Sequence, residues 1–102
     1  MARIGDTVKV NSSIATHSNE RHEFFAGLTF RHIDSNKDFD LPLQSKITQG
    51  DAFFQPSFLW EIPSNAPMGA YSIIHAVWEN AVSGVPSGRL VDRVIPNAFS
   101  VQ

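Results

Sequence analysis

One stretch, Asp34-Ser35-Asn36-Lys37-Asp38-Phe39-Asp40, places side-chain oxygens at alternate positions. A hard cation such as calcium takes six to eight oxygen ligands, and Asp34, Asn36, Asp38 and Asp40 on a curling loop would supply several of them. The run departs from an EF-hand loop twice. Phe39 stands where the turn needs glycine, and Ser45 where a bidentate glutamate would close the shell. Asp and Asn also favour plain turns, because their side chains bond local backbone, so a polar interstrand loop is the competing reading.

His17, His22, His32 and His75 offer imidazole ligands. His32 and His75 fall on the inward faces of two different strands and could meet near one end of the core. Zinc needs three or four ligands at about 2 Å, which would draw in Glu20 or Glu23 from a loop. Lone inward histidines equally serve as hydrogen-bonded residues at a core edge. Covalent chemistry has less to stand on: no Gly-x-Ser-x-Gly turn, His-Glu-x-x-His pair, phosphate loop or dinucleotide fingerprint occurs. The expectation is a non-catalytic chain without a cofactor, calcium at Asp34 to Asp40 being the exception considered.

Aromatic side chains are the remaining lever. Trp78 and Phe53 alternate out of step with the main apolar sets of their strands. An exposed aromatic side chain of this kind offers a platform on which a sugar ring can stack, which makes Trp78 and Phe53 carbohydrate-binding candidates. Covered by a loop or a second sheet, Trp78 would be core instead, and Trp60, which ends its strand, is favoured for the core over exposure.

The chain that must position these residues has 102 of them, enough for one domain and one core. Eight Phe and two Trp supply bulky core material, and there is no Cys, which removes disulfides, thiolate metal sites and thiol nucleophiles together. A net charge of −2 with scattered Lys and Arg argues against a nucleic-acid partner. Residues 1–10 contain no apolar run long enough for a signal peptide or membrane insertion. The chain therefore reads either as cytoplasmic or as a module of a longer exported protein.

Period-two alternation recurs between clusters of Pro, Gly, Asn, Asp and Ser, and no window shows helical periodicity. Strands are predicted over Thr7 to Ile14 and Phe24 to Ile33, with a polar connection from Thr16 to Glu23 between them. A third runs Leu41 to Thr48 with Leu43 and Ile47 inward, before a turn at Gln49-Gly50-Asp51. Along Ala52 to Ile62, Pro56 cannot donate to a ladder, so the strand is bulged there, begins after it, or lies at an edge. Tyr71 to Glu79 is apolar on both faces and is expected to be central. Asn80 to Arg89 reads as a loop, and Leu90 to Val101 as a last strand broken near Pro96. The predicted core is Leu28, Phe30, Phe58, Trp60, Ile62, Ile73 and Val77.

Phe58-Leu59-Trp60-Glu61-Ile62-Pro63 followed by Ala66-Pro67-Met68-Gly69-Ala70-Tyr71 leads an apolar strand through a Pro-rich corner into Gly-x-Tyr. This resembles the corner between strands E and F of immunoglobulin-like and fibronectin type III-like domains, whose tyrosine hydroxyl bonds back to upstream backbone. The likeness covers the second half of the chain; the Cys–Trp–Cys core of antibody domains is missing. It implies an all-β fold, a single immunoglobulin-like antiparallel β-sandwich of about seven strands over residues 1–102, with Gly69 and Tyr71 as the structural corner. It further implies an accessory module, spacer or binding domain, extracellular or on the cell surface, whose partners are protein or glycan surfaces. Two other classes stand beside it: a structural protein that binds copies of itself by lending an edge strand such as Arg3 to Ser13, and a carbohydrate-binding module working through Trp78 and Phe53.

Overall fold

A computed structural model describes residues 2–80 and 88–102, with backbone alone for 16–22, 79–80 and 88–92. Among the described residues seven strands follow one another: β1 (Thr7–Asn11), β2 (Ile14–His32), β3 (Asp38–Asp40), β4 (Gln44–Phe54), β5 (Ser57–Glu61), β6 (Gly69–Asn80) and β7 (Gly88–Val101). No helix occurs among the described residues, and every pair of named strands runs antiparallel.

The two sheets are two ends of one bent ribbon. β1 pairs with β5, Thr7 opposite Glu61 through Asn11 opposite Ser57. The same two segments pair again as β2 and β4, from Ile14 opposite Phe54 to Ala26 opposite Gln44. Between the two stretches the Ser12 amide donates to Pro56 O. Pro56 has no N–H to give a ladder, so the ribbon can turn there without losing a donor. Past the corner, β2 carries β4 and then β3 along one edge and β6 along the other, and β6 carries β7. The result is an antiparallel sheet curled into a half-barrel, with the short β1–β5 end folded back over it.

That folding back builds the core. Along β2 the residues Phe24, Ala26, Leu28, Phe30 and His32 share the inward face, and on β6 their cross-strand partners include Val77, His75, Ile73 and Tyr71. Phe58 and Trp60 of β5 pack onto this surface, with Val8 and Val10 of β1 half-buried beside them. The Trp60 ring of β5 stacks on Phe30 of β2 at 4.4 Å and lies 5.9 Å from Tyr71 of β6, so aromatic contacts join the two layers. All seven predicted core residues are buried. The molecule is nonetheless elongated: its radius of gyration is 15.1 Å, against about 13 Å for a compact chain of this length.

Several predicted boundaries are corrected. Thr16 to Glu23 is no connection but part of the first half of β2, which is nineteen residues long. Gln49-Gly50-Asp51 is no turn but part of β4, with Gly50 at φ +73 opposite Ser18, where the register shifts. Backbone pairing there does not need one apolar face, so alternation gives no signal. Leu43 and Ile47 are not inward; they are 49% and 50% exposed, and Thr48 is buried instead. A one-residue offset in strand phase moves every side chain to the opposite face. Part of the predicted Asp34 to Asp40 loop is strand β3. In the predicted Asn80 to Arg89 loop, residues 81–87 lie outside the described residues, while Gly88 and Arg89 already belong to β7. Pro96 does interrupt β7: Ile73 faces Ile95 but Tyr71 faces Phe99, leaving an irregularity with Asn97 at φ +51.

Candidate functional site

Four places hold the residues singled out above. The first is the corner leading into β6. The Tyr71 hydroxyl donates to Pro67 O at 2.6 Å, within the upstream stretch expected for it. Gly69 has φ +124, and a Cβ there would sit 3.1 Å from His32 Nε2, so the position needs glycine both for its backbone and for space. His32 completes the lock. Its Nε2 donates to Met68 O at 2.8 Å, and its Nδ1 accepts from the Ser35 amide at 3.2 Å and shares a 2.6 Å bond with Ser35 Oγ. Burial alone pushes the Tyr71 phenol above its ordinary 10.0.

The second is the Asp34 to Asp40 segment, which folds as a tight hairpin. Asn36, at φ +59, donates its amide to His32 O, and the His32 amide donates to Lys37 O. Asp38 is held by a two-pronged pair with Arg31, at 2.7 and 2.9 Å, which lowers the Asp38 pKa chiefly through the hydrogen bond. Asp40 accepts from Thr29 Oγ at 2.6 Å. Asp38 and Asp40 are thus turned to cross-strand partners on β2. Among the described residues no three His, Cys, Asp or Glu side chains gather where they could hold a metal ion.

The third is the outer face of the sheet. Trp78 lies over Gly27, where an added Cβ would meet its ring at 2.9 Å and Leu43 at the same distance. It borders a cleft of about 370 Å³ shared with Thr29, Asp40, Leu43 and Ile74. Phe53 is 62% exposed, but it stands opposite Ala15 on β2 while Trp78 stands opposite Phe25. Ten residues of strand put them about 30 Å apart, so they do not form one platform.

The fourth was not foreseen as a unit. Because β1 and β5 are only five residues long, they leave part of the inward face of β2, β6 and β7 uncovered. The opening between β1 and β7 is a groove of about 480 Å³ whose apolar wall is Val10, Ile14, Leu28, Ile73, Val77 and Ile95. Register sets Leu28, His75 and Arg93 side by side across three strands. His75 Nε2 and Ser12 Oγ share a 3.1 Å hydrogen bond. Burial and then the Arg93 charge push the His75 pKa below its ordinary 6.5. His32 and His75 do not meet: each has its own hydroxyl partner, four residues apart in strand position. The side chains of His17, His22 and Glu20 lie outside the described residues.

Ser12 and His75 make a hydroxyl–imidazole pair, the first two parts of a nucleophilic site. Among the described residues no carboxylate is seen to orient His75, the third part of such a site. Compared with known proteins, the chain matches no family model, no curated protein and no solved structure. What the fold defines is an antiparallel all-β domain with a half-open core.

Proposed function

We propose that the chain is a non-catalytic accessory module of the immunoglobulin-like sandwich class, a spacer or binding domain of an exported or cell-surface protein. The observation that carries this reading is the corner: Gly69 with its left-handed backbone, followed by a buried Tyr71 whose hydroxyl returns to Pro67 O. A corner of this kind, at the passage from one layer to the other, recurs in sandwich modules. The sheet itself is a curled half-barrel with a two-strand second layer, so the corner and not the overall shape supports the reading. A sandwich fold says little about activity by itself.

One observation favours the assembly reading as an alternative. Among the described residues β1 pairs only with β5, and β7, apart from the Ala2–Val101 bridge, only with β6. Each offers a free edge to an extended segment of another copy. Sedimentation velocity over a wide concentration range separates the two. A spacer or binding module stays monomeric throughout, whereas growth of larger species with concentration would replace this reading with assembly. For the glycan alternative, the Trp78 cleft is the place to test, by a glycan array with Trp78→Ala as control.

A further inference from the structure

Arg93 occupies an unusual place. Sheet faces that turn toward a core are apolar, yet Arg93 is paired in register with His75 on the inward face, next to Ile95. Among the described residues it has no carboxylate partner. Its guanidinium is exposed at the mouth of the groove, where Ser12 and Ser13 add hydroxyls and Leu28, Ile73 and Val77 form a buried apolar floor. A volume of about 480 Å³ lies within the range of small-molecule sites, which are mostly apolar with a few placed polar groups.

We propose that this groove binds a small amphiphilic monocarboxylate, its apolar part on Leu28, Ile73 and Val77 and its carboxylate on Arg93. The charge count selects the ligand. One guanidinium matches one carboxylate through two parallel N–H donors, and the neighbouring imidazole adds a hydrogen-bonding group rather than a second cation. A dianionic phosphate would leave a charge unmatched, and a neutral lipid would leave Arg93 without a partner beside apolar surface. The inference deepens the binding half of the module reading and rests on it.

Dodecanoate, used below its micelle concentration, is the probe, with dodecanol and acetate as controls. It is followed by amide chemical shifts of the whole chain. Saturable shifts at Ser12, Ser13, His75 and Ile95 are expected for dodecanoate, with acetate too short to bind. Arg93→Gln weakens dodecanoate about tenfold or more, the size of one charge-assisted bond, and leaves dodecanol unchanged. Arg93→Lys recovers part of the loss, and an unaltered circular-dichroism spectrum shows that the fold is retained. The proposal is overturned by absence of saturable shifts, by shifts centred on the exposed Phe53 or Leu59, or by equal loss for dodecanol. It is also overturned if Arg93→Gln instead produces dimers, which would make Arg93 an inward charge guarding the β7 edge. Any of these with a monomeric wild-type chain leaves the module reading intact; a wild-type chain that itself assembles removes both.

Discussion

Tyr71→Phe deletes one oxygen from the only tyrosine in the chain and keeps the ring that stacks on Phe99. The hydroxyl bond to Pro67 O is short, 2.6 Å, and Tyr71 is fully buried. A net intramolecular hydrogen bond contributes about 0.5–1.5 kcal/mol, and a buried acceptor left alone costs about 1–3 kcal/mol. Pro67 is only half-buried, so water can reach its carbonyl and the lower range applies, about 1 kcal/mol. Domains of this size lose about 4–8 °C in melting temperature for each kcal/mol. Urea unfolding should show a lower midpoint at an unchanged slope. An unchanged midpoint would mean the hydroxyl does not hold the corner. A loss as large as that of Tyr71→Ala, about 3–5 kcal/mol by analogy with other aromatic truncations, would mean the ring rather than the bond had been disturbed. The same residue predicts alkaline behaviour. Its folded pKa is raised above 10.0, so the folded state keeps its proton longer, and stability present below that value is lost as pH climbs past it. Tyrosinate absorbance reports this one group and should rise later in the folded chain than in urea.

Acid acts through His75. Its folded pKa is depressed by burial and by Arg93, so the unfolded chain takes up the proton first, and stability falls as pH drops below 6.5. Midpoints measured on either side of that pH should differ less in His75→Gln than in the parent; equal slopes would show that His75 is not buried neutral. Gly69→Ala forces φ +124 on a side chain and pushes it toward His32, costing about 1–3 kcal/mol by denaturant titration, and a neutral result would contradict the corner. Thr48 Oγ1 is buried with no hydrogen-bond partner, so Thr48→Val should leave stability equal or higher, and a clear fall would reveal a partner. Thermal melts in excess calcium and in excess chelator should coincide, because Asp38 and Asp40 are already engaged by Arg31 and Thr29; a calcium-dependent rise would reopen the site.

The readable parts of the sequence were those where burial and chain chemistry agree. Phe58 and Trp60 on β5, with Ile62 just beyond it, alternate with exposed residues on one buried face, so strand and core could both be located. Gly69 and Tyr71 were legible because a left-handed backbone and a returning hydroxyl each demand one residue type. The polar half of β2 was not, since Thr16 to Glu23 pairs through its backbone and has no apolar rhythm. Leu43 and Ile47 misled for the opposite reason: apolar residues on the half-barrel's outer side imitate a core face. The groove was hidden because it is a product of registers. His75 could be placed on an inward face, but Arg93 joins it only through a β6–β7 pairing whose offset is set by irregularities near Pro96 and Trp78. Ser12 reaches it only because the ribbon bends at Pro56.

The claim on which everything else depends is that the β1–β5 end of the ribbon folds back over the inward face of β2, β6 and β7. Proton–proton Overhauser contacts between aromatic rings test it most directly, because the two tryptophans occupy different faces and are separately assignable. The Trp60 indole should show contacts to the Phe30 and Phe99 rings, while the Trp78 indole shows them to the Gly27 backbone protons and to neither of those phenylalanines. A Trp60 indole without contacts to Phe30 or Phe99 would mean that the ribbon does not bend at Pro56, and the layered core, the corner and the groove would all fall with it.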